Sequence, residues 1–308
     1  MNTRMNGFTR NVLLGFLGLI LGLPAFPQTP VTVPTAVNAG LVLDAAGPKQ
    51  RKSLNAIYLI ACPNVGFGSG FLLDKGIMVT NLHVIATCSE QTLVGISTAN
   101  KHVKFSRIIR DAGRDLALLV PAEKLSNGLK LAAKDGPAPG TTVSTWGYPF
   151  GYNGISPLLS VGYVSGYRED TSNGKAVKHI VVNGAFNHGN SGGPLMISHD
   201  NEVIGVVVLT FNFYPRGIKQ IIDNLSNEKY GLMWTVTNPD GSKQDVSEAK
   251  ITAMVLNEFY EKTQVMIGEA ISGSELAATI KEHSPELGAT NSEPTNRSNK
   301  ASVQENTH

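Results

Sequence analysis

The stretch that decides the reading is "AFNHGNSGGPLM", residues 185–196. A serine set among glycines is ordinarily a turn, because glycine reaches backbone angles closed to other residues. The same residues have a chemical use. A hydroxyl such as that of Ser191 is a poor nucleophile at neutral pH, and it needs a neutral imidazole to take its proton and a carboxylate to orient that imidazole. Glycines beside it let backbone N–H groups face one point, where the oxyanion of a tetrahedral intermediate would form. Whether Ser191 is a nucleophile therefore depends on a histidine and an acid elsewhere in the chain.

Two segments upstream offer them. "GSGFLLDKGIMVTNLHVI" (68–85) ends an apolar strand at His83, and "IIRDAGRDLALLV" (108–120) opens another strand at Asp115. Asp111, four residues earlier, competes as the acid, but no apolar strand follows it directly. Taken singly, His83 reads as a half-buried histidine and Asp115 as a turn acid. Together with Ser191 they fall in the order His–Asp–Ser, with each group next to a strand.

Strands dominate the rest. The 308 residues include 32 glycines, and 42% are hydrophobic against 16% charged. Short apolar runs such as "AIYLIA", "TTVSTWGYP", "AVKHIVVNG" and "EVIGVVVLTF" recur with turn signals between them, the pattern of an all-β barrel or sandwich rather than of βαβ units. A polar break near 125–140 divides the run into halves. Residues 212–230 read as an inserted loop with a short helix, and "YGLMWTVT" as the last strand. Helical spacing predicts a C-terminal helix over 246–270, and the Ser-, Thr-, Asn- and Glu-rich remainder, 271–308, reads as a disordered tail.

At the other end, Arg4 and Arg10 precede "NVLLGFLGLILGLPAF", an apolar run of roughly fifteen residues, short for a membrane span. Residues 1–39 are therefore an export signal, cut after Ala25 or Ala39, or an uncleaved anchor, and 40–54 a linker. The two arginines are the only charged residues before position 40, so the remaining 24 basic side chains equal the 24 acidic ones. Such a balance excludes nucleic acid as the main partner. In an exported chain Cys62 and Cys88 either form a disulfide or stay as buried thiols, and two thiols without a nearby histidine pair make no metal site.

Five segments in order resemble the trypsin-like serine peptidases, and most closely their bacterial exported HtrA/Deg-type branch. They are "GSGF…VTNLHV", "RDLALLV", "WGYPFG" (146–151) with "SVGYVSG" (160–166), "HGNSGGPL" (188–195) and "NEVIGVVV" (201–208). The resemblance implies two six-stranded antiparallel β-barrels within a protease domain at 55–265, barrel one over about 55–125 and barrel two over about 136–245, with the C-terminal helix behind them. It implies an exported serine endopeptidase that acts on protein or peptide substrates without a cofactor, and it leaves oligomer formation open. In this reading His83 is the general base, Asp115 its orienting acid and Ser191 the nucleophile, with the Gly189 and Ser191 N–H groups as the oxyanion hole.

Departures from the family pattern matter too. His188 stands where relatives have proline, either as a second titrating group or as an exposed loop residue. Asn190 replaces the aspartate that pairs with a freshly cut N-terminus in digestive relatives, and the residues after the last strand are too few for the PDZ domain of most HtrA proteins. Ala185 falls at the floor of the primary pocket, Val208, Leu209 and Thr210 lie along the strand that pairs with substrate, and Thr210 narrows the pocket wall. No aspartate lies at the floor, and Val207 stands where glutamate-specific relatives keep histidine, so the pocket is expected to favour small uncharged residues such as alanine or valine. The competing class is a catalytically silent module that binds extended peptides along "VVVLT" by strand addition. Labelling by a serine-directed reagent separates the two.

Overall fold

The structure is a computed structural model that describes residues 34–63, 66–133, 136–150, 152, 155–184, 186–208, 217–229, 231–237, 242–262 and 267–288. Two antiparallel sheets make the body. The first contains β1 (Ile57–Cys62), β2 (Gly66–Leu72), β3 (Met78–Asn81), β4 (Val94–Ser97), β5 (His102–Val103), β6 (Phe105–Asp111) and β7 (Leu116–Pro121), in the order β5-β4-β1-β2-β3-β7-β6. Its outermost strands, β5 and β6, are consecutive in the chain and separated only by Lys104. The sheet thus comes back on itself as a nearly closed barrel, with one strand broken in two where six were expected. The second sheet is a closed six-stranded barrel of β8 (Thr142–Gly147), β9 (Leu158–Asp170), β10 (Val177–Asn183), β11 (Pro194–Ile197), β12 (Val203–Val208) and β15 (Gly268–Ser272).

Burial explains why several strands read as unbroken apolar runs. In β1, Tyr58, Ile60 and Cys62 fill barrel one, while Ile57 and Leu59 face the other way into a core shared by the two barrels. β7 splits likewise, Ala117 and Leu119 inward, Leu116 and Leu118 to the shared core. In barrel two, Ile204 and Val207 of β12 point inside, and Val203, Val206 and Val208 join the shared core. A strand buried on both faces has no polar face to alternate with. The shared core holds the barrels against each other, and their line of contact is where a two-part site can form.

Four expectations about the ends and the insertion need correction. "WTVT" does not close barrel two: among the described residues β13 (Met233–Thr237) pairs with β14 (Lys243–Ser247) alone, in a separate hairpin. The sixth barrel strand is β15, between β10 and β12, in a stretch read as the end of the C-terminal helix. Among the described residues of that predicted helix, Glu248–Lys262 is helical (α4), and it packs on α3 (Gly217–Asn227) within the insertion between β12 and β15. The tail expected over 271–308 is ordered through α5 (Gly273–Glu282) and α6 (Ser284–Gly288), with Leu276 and Thr279 fully buried. Residues 289–308 lie outside the described residues.

The linker over 40–54 is instead two short helices, α1 (Gly40–Ala45) and α2 (Pro48–Asn55), the second anchored by buried Leu54. Val37 and Ala39 are also buried in the shared core, so an export segment cannot run to residue 39 without removing part of the fold. The Ala25 site and the apolar run lie outside the described residues. No helix among the described residues is long and apolar enough to cross a membrane.

Candidate active site

His83 follows β3 at the start of a single 3-10 turn, His83–Ile85. Val84 and Ile85 are buried in barrel one and pin the turn, which leaves the imidazole 44% exposed at the barrel surface. A disulfide, Cys62–Cys88, with Cα atoms 5.9 Å apart, ties the chain just beyond this turn to the end of β1. Of the two readings of the cysteines, the structure takes the bonded one.

The β3–β7 register brings Asp115 to His83. Asn81 lies opposite Leu116 and Thr80 opposite Ala117, so the residue before β7 meets the residues after β3. The Leu82 N–H and the Asn81 side-chain amide both donate to the Asp115 carbonyl, at 3.0 and 3.1 Å. Asp115 Oδ1 accepts the His83 backbone N–H at 2.9 Å, and Oδ2 lies 2.6 Å from His83 Nδ1. An ionised carboxylate only accepts, so this pairing selects the tautomer with the proton on Nδ1 and the lone pair on Nε2. Asp115 adopts φ +54°, unusual for a residue other than glycine. Asp111 is turned elsewhere, to the Arg114 guanidinium at 2.6 Å and the Thr279 hydroxyl at 2.7 Å. Its partial burial would raise its pKa, but these hydrogen bonds outweigh that and lower it.

Barrel two presents the serine loop between β10 and β11. Ser191 O accepts the Ser69 N–H at 2.9 Å, and Gly189 O accepts the Ser69 hydroxyl at 2.7 Å. Ser69 Oγ in turn accepts the Tyr148 N–H at 2.9 Å. Further on, Gly192 N–H donates to Val207 O and Val207 N–H to Gly193 O, each at 2.8 Å. Gly189 and Gly192 have φ of +92° and +85°, and a Cβ on either would stand 2.1 Å from a backbone oxygen, of Tyr148 and Ser69 respectively. Glycine is therefore required at both. The sequence signalled the loop but not its keystone: Ser69, in "GSG", fastens the serine loop of barrel two to barrel one.

Ser191 is 4% exposed, and its Oγ has no hydrogen-bond partner among the described residues, His83 included. Neither the Gly189 nor the Ser191 N–H donates to a backbone carbonyl among the described residues. His188 is exposed, as in one of its two readings. Beside the histidine lies a cleft of ≈200 Å³ lined by His83, Asp115, Val208, His179, Glu269 and Ile271, among others. Val208 ends β12 opposite Glu269. Val207 packs inside barrel two, away from that cleft. Ala185, Leu209 and Thr210 lie outside the described residues.

Glu269, 3% exposed, was missed by the sequence reading. It takes two bonds of 2.6 Å from Arg168 and one of 2.9 Å from His179 Nδ1. Burial would raise its pKa, yet the hydrogen bonds from His179 and Arg168 prevail and lower it. No group of three or more histidine, cysteine, aspartate or glutamate side chains suited to a metal occurs among the described residues.

Two packed antiparallel barrels, a histidine–aspartate pair on one and a glycine-bounded serine on the other, define the trypsin-like architecture. In sequence, residues 68–206 match the family model of the trypsin-like peptidase domain. A probable periplasmic serine endoprotease, DegP-like, from Pseudomonas fulva is 36% identical over 141 residues, covering 45% of this chain and 28% of the relative. Protease Do-like 5, chloroplastic, from Arabidopsis thaliana is 35% identical over 162 residues, covering 47% and 49%. The chain thus spans half or less of the length of these relatives. Among solved structures, the active form of the Rv3671c protease from M. tuberculosis superposes with a TM-score of 0.53 at 18% identity, over 87% of this chain and 95% of that one. The HtrA-type protease AlgW with tripeptide gives 0.50 at 19%, over 77% and 62%. Both show the same fold.

Proposed function

We propose that this chain is an exported serine endopeptidase. The observation that carries the reading is the His83–Asp115 pair at 2.6 Å on barrel one, the same barrel to which Ser69 fastens the serine loop of barrel two. In this mechanism neutral His83 takes the Ser191 proton at Nε2 while Oγ attacks the scissile carbonyl. Asp115 stabilises the imidazolium, and the N–H groups of Gly189 and Ser191 receive the oxyanion. The imidazolium then gives its proton to the leaving amine, and water repeats the sequence on the acyl-enzyme. No cofactor or metal enters. The Cys62–Cys88 disulfide and the name of the periplasmic relative support export, since such bonds persist in oxidising compartments.

The substrates in this reading are extended segments of proteins or peptides, with a small uncharged residue such as alanine or valine in the primary pocket. The motivation is sequence alone: Ala185 at the floor, Thr210 on the wall and no acid between them. A peptide library scanned at the residue before the cut tests it, and efficient cleavage after arginine with little after alanine or valine sinks the specificity. One observation favours a second reading, a cleft that binds peptides without cutting them: Ser191 Oγ has no bond to His83. Casein-type proteolysis by the unmodified chain, lost in Ser191→Ala, decides for the peptidase. Peptide binding without any cleavage decides for the silent module.

A further inference from the structure

The aspartate turn is held from behind by a side chain that the mechanism does not use. Arg114, adjacent to Asp115, is only 4% exposed. Its N–H and one guanidinium nitrogen bond the two oxygens of Asp111, at 3.1 and 2.6 Å. Its Nε donates to Glu275 at 2.9 Å, and Nη1 and Nη2 donate to the two oxygens of Glu282 at 2.8 and 2.7 Å. Glu275 and Glu282 belong to α5, and Thr279, between them on that helix, bonds Asp111 at 2.7 Å. The other oxygen of Glu275 accepts the backbone N–H of Lys178 in β10 at 3.1 Å. One carboxylate therefore links the turn of barrel one to a strand of barrel two.

This matters because Asp115 sits at φ +54°, a conformation that persists only where its surroundings dictate it. Asn81 and Leu82 hold the Asp115 carbonyl from one side. Arg114 and α5 hold the preceding residues from the other. The planar guanidinium suits the task, since its donors lie in a fixed fork that matches carboxylates two atoms at a time. We propose that Arg114 is a positioning residue that, clamped by α5, keeps Asp115 behind His83 and the histidine barrel in register with the serine barrel. The proposal deepens the peptidase reading and rests on it.

The test uses the full chain, Arg114→Met, Arg114→Lys, Glu282→Gln, and Ser191→Ala with and without Arg114→Met. For Arg114→Met, kcat on a peptide substrate falls roughly 100-fold, the usual result of a misplacement near 1 Å. KM hardly moves, because the clamp touches no substrate. Arg114→Lys restores part of the loss, since it keeps the charge without the fork. A second readout does not need catalysis. The proton between His83 Nδ1 and Asp115, in a short charge-assisted bond, gives a far-downfield NMR resonance. That signal is present in Ser191→Ala and absent from Ser191→Ala combined with Arg114→Met.

A folded Arg114→Met chain that keeps both kcat and the downfield proton overturns the clamp. If Arg114→Met does not fold, Glu282→Gln replaces it, because the Glu282 side chain is 52% exposed and its loss leaves the core intact. A smaller fall in kcat with weakening of the downfield proton then supports the clamp, and no change in either overturns it. If the unmodified chain shows no peptidase activity, the reading of the site fails on that result, while the resonance still decides the clamp.

Discussion

The two halves of the candidate site are built differently. On barrel one, side chains do the work: His83 and Asp115 are already bonded at 2.6 Å, fixed by a strand register, a disulfide and a buried 3-10 turn. On barrel two the serine loop is held almost wholly through its backbone, by Ser69, Val207 and two glycines at positive φ, while Ser191 Oγ has no partner among the described residues. The difference separates two requirements of a split site. A base can be assembled within one barrel from local pairings. A nucleophile can be placed only as well as the barrels are held together.

Substitutions at the chemistry itself break the comparison most sharply. Ser191→Ala should lower kcat by about a million-fold if the loop carries the nucleophile, and Asp115→Asn by about ten-thousand-fold through the wrong imidazole tautomer. Turnover of a peptide substrate by each purified variant measures both. Asp111→Asn, by contrast, should act through the clamp with a much smaller loss, and equal losses at the two aspartates would reverse the assignment.

The next effect is on the serine loop. Gly192→Ala forces a Cβ to 2.1 Å from Ser69 O at φ +85° and should cost at least about 2 kcal/mol, read by chemical denaturation. Labelling should fall with it, while the His83–Asp115 downfield proton stays. Loss of that proton instead would show the two halves to be one cooperative unit.

The disulfide sharpens the barrel-one side. It closes a loop with a sequence separation of 26 residues, so reduction should destabilise the fold by about 3 kcal/mol and lower the thermal midpoint. Thermal scans with and without reductant measure it.

Acid makes the smallest and most gradual change. Asp111, Glu269 and Glu282 all have lowered pKa values, Glu282 down to about 2 through hydrogen bonds from Arg114. Their contribution is therefore complete above the unfolded carboxylate value of about 4.5 and disappears as pH falls towards 2. A thermal midpoint that declines across this window and flattens above it fits the account, and one that rises on acidification contradicts it. The exposed Glu282 adds little of this by itself.

Most strands of both barrels, and the segments that carry His83, Asp115 and Ser191, were legible because each is or adjoins a run buried on one or two faces. The closing elements were not. β15 carries a glutamate in its second position, and Glu269 is buried only because Arg168 and His179, about a hundred residues earlier in the chain, neutralise and bond it. α5 looked like a solvated tail because Glu275 and Thr279 are polar yet face Arg114 and Asp111 rather than water, and the half-exposed Glu282 also bonds Arg114. β13 misled in the opposite sense: Met233–Thr237 alternates like a half-buried strand, and it does pair, but with its neighbour β14 rather than with barrel two. Composition reports the company a side chain keeps on average, and these segments keep long-range polar company.

The central claim is that Ser191 is the nucleophile of an assembled triad. Its most direct test is the intact mass of the disulfide-bonded chain after exposure to a fluorophosphonate, followed by peptide mapping. The account predicts one adduct per chain, on Ser191, absent from Ser191→Ala and formed far more slowly by Asp115→Asn. No adduct on the folded chain, or an adduct that persists in Ser191→Ala, would contradict it.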